Sequence, residues 1–209
     1  MSEPLTQRLF DDADTSPLDP FIVFEEWFEI ARVNEPNDAH AMALATADAE
    51  GLPDVRMVLL NARDARGFCF FTNFESEKAR QLQANPKAAA VMHWKSIRRQ
   101  IRFRGPVEVV SEAEADAYFA TRPRGSQIAS AVSDQSRPLE SRALLAARVA
   151  ERTAELGDKP VVRPPHWSGF RMVPMSMEFW KDGEFRLHDR VRFTRTTPEG
   201  NWNRTRLYP

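Results

Sequence analysis

The sequence predicts an α+β fold in which a mostly antiparallel sheet curls into a barrel with helices packed around it. Five short segments that are apolar or alternate apolar with polar, 41–47, 54–61, 68–72, 88–94 and 100–110, follow one another along the chain. Turn signals at Gly51-Leu52-Pro53 and Arg66-Gly67 separate the first three, which is the pattern of an antiparallel meander. With 209 residues, of which 42% are hydrophobic and 28% charged, the chain is long enough to bury one sizeable core.

Each element has its own signal. Residues 1–18 carry Asp11, Asp12, Asp14 and Pro17 with little apolar periodicity, which predicts a loose N-terminal arm ahead of one domain over 19–209. Asp19 and Pro20 suit the N-cap and first helical positions, and Phe21, Phe24, Phe28 and Ala31 recur at helical spacing, so 20–33 reads as a helix with its aromatic stripe in the core. Ser76 opens a short polar helix that runs to Ala84 and is ended by Asn85-Pro86. Ser111 and Glu114 have capping-box spacing and start a helix that stops at Arg122-Pro123. A further helix is expected from about Leu139 to Leu156, with Leu145, Val149 and Leu156 on one face and Gly157 at its end. Strand regions 170–180 and 184–194 are joined across Asp182-Gly183, and a short strand near 202–207 closes the chain.

Charge and composition remove several function classes. The 29 Lys and Arg balance 30 Asp and Glu, so the chain as a whole carries no electrostatic footprint for nucleic acid or an acidic membrane. Arg98, Arg99, Arg102 and Arg104 form a local basic group, but Arg102 and Arg104 share a strand face that water can solvate. Cys69 is the only cysteine, so no intramolecular disulfide and no Cys-based zinc site can form, and its apolar setting predicts a buried, inert thiol. No apolar run reaches membrane-span length, and the acidic, proline-containing start lacks the basic and apolar blocks of a signal peptide. A cytoplasmic location is the expectation.

Chemistry-bearing residues gather in three places. Strand alternation across Phe185-Arg186-Leu187-His188-Asp189-Arg190 sends Arg186, His188 and Arg190 to one face, suited to an anionic or polar ligand, with a solvated strand face as the alternative. Arg56, Thr72, Ser76 and Lys78 surround the start of the helix at Ser76, where free N–H groups, hydroxyls and cations match a phosphate monoester; an ordinary capped surface helix is the alternative. Tyr118 and Arg122 lie four apart on one helix face, with Ser126 just beyond, and these three groups suit a second anion; an arginine favoured by the dipole at a helix C-terminus is the alternative. Neither a Gly-x-Gly-x-x-Gly after a strand nor a Walker loop is present, so a classical dinucleotide or ATP site is disfavoured.

In order along the chain stand Arg-Met-Val-Leu-Leu from Arg56, Phe-Phe-Thr-Asn from Phe70, Ser-x-Lys at Ser76 and Arg-Arg-Gln from Arg98. Tyr-Phe-x-x-Arg-Pro-Arg-x-Ser-Gln-Ile from Tyr118, Gln-Ser at Gln135, Glu-Phe-Trp from Glu178 and Arg-Leu-His-Asp-Arg from Arg186 follow. From about Asp19 to Pro209 this set resembles the pyridoxine (pyridoxamine) 5'-phosphate oxidase family. The resemblance implies a split β-barrel, FMN as cofactor and an obligate homodimer with FMN between the chains. It also implies oxidation of pyridoxine or pyridoxamine 5'-phosphate to pyridoxal 5'-phosphate, with oxygen as acceptor and hydrogen peroxide released. Carried over by position, Arg56, Met57, Val58, Leu59 and Leu60, with Phe71, Thr72, Ser76, Glu77 and Lys78, would surround the FMN phosphate and flavin edge. Gln100, Gln135, Ser136, Trp180 and Arg190 would complete that site. Tyr118, Arg122 and Ser126 would hold the substrate phosphate, with Asn61 beside them, while Arg186 and His188 would be the catalytic pair that sets the pyridine ring against the flavin.

Several positions depart from the pattern. Asn61 stands where the family usually has a lysine, Glu77 where an arginine is common and Phe71 where tyrosine is frequent. Ala129-Ser130-Ala131 replaces the usual Gly-Ala-Trp, and the arm lacks an arginine and tyrosine pair found in some members. These changes leave two other functions open: an FMN oxidoreductase acting on another small aromatic, as phenazine-type relatives do, or a non-catalytic flavin or vitamin B6-phosphate binder.

Overall fold

The computed structural model describes residues 4–209. Ten strands pair exclusively antiparallel: β1 Ala41–Ala47, β2 Pro53–Leu59, β3 Ala62–Asp64, β4 Gly67–Asn73, β5 Lys87–Trp94, β6 Arg99–Val109, β7 Trp167–Met172, β8 Ser176–Lys181, β9 Asp189–Thr194 and β10 Asn203–Arg206. Six α-helices accompany them: α1 Pro4–Phe10, α2 Pro20–Asn34, α3 Glu77–Ala84, α4 Glu112–Thr121, α5 Arg124–Val132 and α6 Arg142–Leu156. One path through the sheet runs β10-β9-β8-β6-β5-β1-β2, and a branch runs from β6 through β7 to β4 and β3. The predicted barrel of antiparallel strands with surrounding helices is present in its split form.

The split originates in β6. Residues 99–104 pair with β8, while Val107–Val109 pair with β7, so one strand serves both halves. Between them sit Gly105 and Pro106. A Cβ on Gly105 would lie 1.9 Å from the Val173 carbonyl oxygen, so only glycine lets the β7–β8 connection cross β6 at this point. That crossing is pinned by Val173 N–H to the Pro106 carbonyl at 2.9 Å and Met175 N–H to the Arg104 carbonyl at 2.9 Å. The expected single strand over 170–180 is therefore two strands, broken where Pro174 has no N–H to give a ladder.

The expected strand over 184–194 is also shorter. Glu184–Arg186 form a 3-10 turn, and Phe185 and Arg186 both have positive φ, at 53° and 67°. A side chain in that region does not follow strand alternation, so Arg186, His188 and Arg190 do not share a strand face as the sequence predicts; only Arg190 belongs to β9. Part of the arm expected to be loose is helical and docked. The Glu26 carboxylate accepts the Leu5 and Thr6 N–H groups at 3.1 and 2.8 Å, the Trp27 indole donates to the Thr6 hydroxyl at 2.8 Å, and Leu9 is buried. These polar anchors have no apolar period and so leave no periodic trace in the sequence.

α2 plugs the barrel. Asp19 caps it by accepting the Phe21 N–H at 2.9 Å, and Phe24 packs on Phe68 with centroids 4.7 Å apart while Trp27 meets Phe179 edge-on at 5.3 Å. Val23, Phe24, Trp27 and Ala31 are fully buried, and removing a ring of this kind from a packed core typically costs about 3–5 kcal/mol. α6, capped by Ser141 and ended by Gly157 as the sequence predicts at its C-terminus, buries none of its residues within the chain. Val55, Met57 and Leu59 form an exposed apolar row on β2. Among the described residues no helix is long and apolar enough to cross a membrane.

Gly105→Ala is expected to destabilise the protein by roughly 1–3 kcal/mol, the usual range for overpacking, because the obstacle is backbone rather than a movable side chain. Its denaturant midpoint should fall, while Gly125→Ala, at a position with open space around it, serves as the control and should change little.

Candidate active site

The end of β4 and the start of α3 form the first polar group. Lys78 Nζ lies 3.3 Å from the Thr72 hydroxyl, 3.3 Å from the Ser76 hydroxyl and 3.2 Å from Gln135 Oε1. All three are neutral oxygens. Burial, followed by the nearby Arg56 guanidinium, holds the Lys78 ammonium below the ordinary lysine range. Arg56 itself donates to the Thr46 hydroxyl at 2.6 Å, the Gln81 side-chain oxygen at 3.1 Å and Asp54 at 2.5 Å. Ser76 begins α3 without capping it through its side chain, and the Glu77 N–H donates to the Ser136 hydroxyl at 3.1 Å. Ser136 reaches that point with φ at 72°, a left-handed conformation that is costly for a residue other than glycine. Two cations, several hydroxyls and a helix N-terminus thus converge, which is the chemistry that holds a phosphate monoester. The Glu77 carboxylate pairs with Arg80 at 2.8 Å, one turn along the helix.

The expected run Arg56 to Leu60 is divided by strand alternation. Arg56 and Val58 are half-buried, Met57 and Leu59 are exposed on the opposite face, and Leu60 is buried in the core with its N–H bonded to the His40 carbonyl at 2.8 Å. Of these five, only Arg56 brings its side chain to the Lys78 group.

A second group stands on α4. Tyr118 stacks on Phe71 with centroids 4.1 Å apart, and Trp167 lies nearly parallel to both rings. Gly169 makes the stack possible, since a Cβ there would be 2.7 Å from the Phe71 ring. The Arg122 guanidinium sits 4.8 Å from the Trp167 ring centre and donates to the Ser130 hydroxyl at 2.7 Å. Burial lowers the Arg122 pKa and raises that of Tyr118. Asn61, the departure noted in the sequence, accepts the Phe71 N–H at 3.1 Å and so stands beside the ring pair of Phe71 and Tyr118. Ser126 lies one turn before Ser130, whose hydroxyl donates to the Ser126 carbonyl at 2.9 Å. Trp167 was not legible from spacing, because it reaches α4 from a strand distant in sequence, and Ser130 because only the packing of α5 on α4 brings it to Arg122.

α4 is aimed by a buried charge. Arg171 on β7, with only 4% of its side chain exposed, donates to Glu114 at 2.6 Å and to Asp64 at 2.8 Å. Glu114 also completes the predicted capping box with Ser111 and receives Arg66 at 2.8 Å. Hydrogen bonds from the Ser111 backbone and hydroxyl, with help from Arg66 and Arg171, hold its carboxyl down at about 2. Tyr118 and Arg122 follow Glu114 at one and two turns, so this anchor sets the face they present. Cys69, close by, is buried as expected, and burial pushes its thiol up to about 11.

The third group lies on the other side of the sheet's path. Gln100 pairs in register with Trp180, and Trp180 with Arg190. Arg190 binds the buried Glu178 at 2.8 Å and the Tyr208 carbonyl at 2.9 Å, and the Trp180 ring lies 4.7 Å from that of His188. Arg186 is exposed in the 3-10 turn. Arg56 on β2 and Trp180 on β8 are separated by β1, β5 and β6. Within one chain, the residues expected around the cofactor and the substrate thus form separate groups: Arg56 with Thr72, Ser76, Lys78, Gln135 and Ser136; Asn61 with Phe71, Tyr118 and Arg122; and Gln100 with Trp180, His188 and Arg190.

Residues 29–154 match the family model described as pyridoxamine 5'-phosphate oxidase. The chain belongs to the pyridoxamine 5'-phosphate oxidase family. Residues 167–209, which hold Trp180, His188 and Arg190 of the third group, match the pyridoxine 5'-phosphate oxidase C-terminal dimerisation region. Relatives named pyridoxine/pyridoxamine 5'-phosphate oxidase include one from Brucella abortus (strain 2308), 57% identical over 99% of this chain and 100% of its own length. Another, from Azorhizobium caulinodans, is 59% identical over 99% of this chain and 95% of its own. Among solved structures, PhzG from Burkholderia lata 383, in complex with tetrahydrophenazine-1-carboxylic acid, superposes with a TM-score of 0.87 at 32% identity, covering 96% of this chain and 97% of that one.

Because Glu114 is held low in the folded protein, it contributes stability above the ordinary carboxylate range and loses it as pH falls through about 2. The denaturant midpoint should therefore decline between about pH 4.5 and 2 more steeply in wild type than in Glu114→Gln, and a parallel decline in both would contradict the anchor.

Proposed function

We propose that the protein is a homodimeric, FMN-dependent oxidase that converts pyridoxine 5'-phosphate or pyridoxamine 5'-phosphate to pyridoxal 5'-phosphate in the cytoplasm. The observation that carries the reading is a pair of desolvated cations, Lys78 and Arg122, each bonded to neutral oxygens, in a chain 57% identical along 99% of its length to an enzyme of that name. Two separate phosphate-sized demands for negative charge fit one phosphorylated cofactor and one phosphorylated substrate.

The Lys78 group suits the FMN phosphate. Arg56 and Lys78 would neutralise the dianion, Thr72, Ser76 and Ser136 would donate hydroxyl hydrogens, and the start of α3 adds the positive end of its dipole. Bound there, FMN supplies the two-electron acceptor, with oxygen as the final oxidant. The substrate phosphate falls to Tyr118, Arg122 and Ser126. Phe71 stacks on the Tyr118 ring, and Trp167 fixes the Arg122 plane, so both donors are ordered before substrate arrives. Gln100, Trp180, Arg186, His188 and Arg190, carried on the dimerisation region and its neighbour strand, would come from the partner chain to complete each site. The exposed row Val55, Met57 and Leu59 and the uncovered α6 supply the apolar surface that a permanent dimer buries.

The similarity to PhzG favours a second reading, oxidation of a reduced aromatic carboxylic acid. Arg122 could pair with a carboxylate as well as a phosphate. The lower identity to that protein, 32% against 57%, favours the B6 substrate.

Anaerobic addition of pyridoxine 5'-phosphate should bleach the flavin absorbance of the FMN-loaded protein. A protein that refuses FMN would overturn the reading, and bleaching by a dihydrophenazine carboxylate alone would replace it with the second. Arg122→Leu should raise the KM for pyridoxine 5'-phosphate by roughly 10- to 100-fold, the value of one charge-assisted bond, with FMN affinity unchanged. Lys78→Ala and Arg190→Ala should do the reverse, weakening FMN retention measured by fluorescence quenching more than they alter the substrate constants of the saturated enzyme.

A further inference from the structure

We infer that Glu178 is a positioning residue for the cofactor: it grips the Arg190 guanidinium by one edge, so that Arg190 meets FMN with its remaining N–H groups in a fixed direction. The inference rests on the reading above for what Arg190 does, but every contact that carries it lies within the chain. β8 runs between β6 and β9, and Glu178 on β8 has only 3% of its side chain exposed. One carboxylate oxygen serves each neighbouring strand. Oε2 accepts from Arg102 on β6 at 2.8 Å, and Oε1 accepts from Nε and Nη2 of Arg190 on β9 at 3.1 and 2.8 Å.

Strand register does not dictate the contact with Arg190. The residue opposite Glu178 on β9 is Arg192, whereas Arg190 stands opposite Trp180. Directly opposed side chains are the nearer pair. Yet Arg192 Nε is buried with no hydrogen-bond partner among the described residues, and the guanidinium that reaches the carboxylate is that of Arg190, two residues along the strand. The other end of Arg190 is held too. Its Nη1 donates to the Tyr208 carbonyl at 2.9 Å, and its own carbonyl accepts the Leu207 N–H at 2.9 Å. Of the five N–H groups of a guanidinium, those on Nε, one on Nη2 and one on Nη1 are thus committed, which fixes the plane and leaves the rest for a ligand.

The carboxylate is suited to that task. Burial works to raise the Glu178 carboxyl, but hydrogen bonds from Arg102 and Arg190 hold it below the ordinary range, so it stays an anion. Arg102, 55% exposed, is the solvated end of the row, and Arg190, 24% exposed, is the end beside Trp180. Lys78 stands among neutral oxygens and so brings net charge to a phosphate, whereas Arg190, already balanced by Glu178, brings directed hydrogen bonds. An arginine held in advance also loses little side-chain freedom when its ligand arrives. Glu178 touches no ligand in this scheme and acts through Arg190 alone.

A double-mutant cycle on FMN affinity, read by fluorescence quenching of the full-length protein, tests this. Glu178→Gln removes the charge and keeps the size, and with Arg190 present it is expected to weaken FMN binding about tenfold, the effect of one charge-assisted bond. Glu178→Asp keeps the charge that the fold requires and withdraws the oxygens by one methylene, so it should weaken FMN by a smaller factor and stands in if Glu178→Gln does not fold. In an Arg190→Ala chain neither change should lower FMN affinity further. Equal losses in both backgrounds would make Glu178 a general structural residue and overturn the proposal, as would unchanged FMN affinity in a folded Glu178 variant that keeps Arg190. Arg190→Ala with full FMN affinity is a separate failure: it removes Arg190 from the cofactor and overturns the reading on which the proposal rests.

Discussion

The arrangement depends on one strand bonding two partners in succession. β6 gives its first half to β8 and its last residues to β7, and the glycine between them lets the β7–β8 connection pass over its backbone. Without that approach the branch carrying β4 could not leave the sheet carrying β9. β4 delivers Thr72 and leads into α3; β8 and β9 deliver Trp180 and Arg190. The divergence of these two sets of functional side chains is a direct product of the bend. α2 fills the space that the divergence opens, which is why its buried face is built from large rings.

Polar positioning follows a second rule: charges that must stay free are held by neutral groups, and charges that must hold structure are paired. Arg171 and Glu178, both almost fully buried, are saturated by opposite charges and tie strands and helices together. Lys78 and Arg122 are instead desolvated among hydroxyls, amides and an indole face. Taking a cation out of water without a counter-ion is unfavourable, and an arriving anion relieves that penalty. Such sites are weak contributors to folding and strong contributors to recognition.

Local chemistry made much of the fold legible in the sequence. Asp19-Pro20, the Ser111–Glu114 box and Gly157 each act through contacts within a few residues, so spacing alone located α2, the start of α4 and the end of α6. The strands themselves were legible because their turns carry glycine or proline, but the expected meander was not their order: β5 returns to pair with β1, and β4 leaves to pair with β7. Features set by distant partners were not legible. The break at Pro174 depends on Gly105, some seventy residues earlier, and the left-handed turn at Phe185 and Arg186 depends on closure between Gly183 and Leu187. Reading Arg186, His188 and Arg190 as one strand face failed for that reason. The Lys78 and Tyr118 groups were anticipated from residue type and helix position, whereas Ser130, Trp167 and the docking of α1 through Glu26 required the tertiary structure.

The separation of Lys78 from Arg190 across the sheet also has meaning at the level of alleles. In a dimer that builds each pocket from the first groups of one chain and the third group of the other, damage to Lys78 and damage to Arg190 spoil opposite contributions. A mixed dimer of the two defective chains would gather both lesions into one pocket and leave the other whole. Two inactive forms of the gene, expressed together, would restore part of the function that neither provides alone.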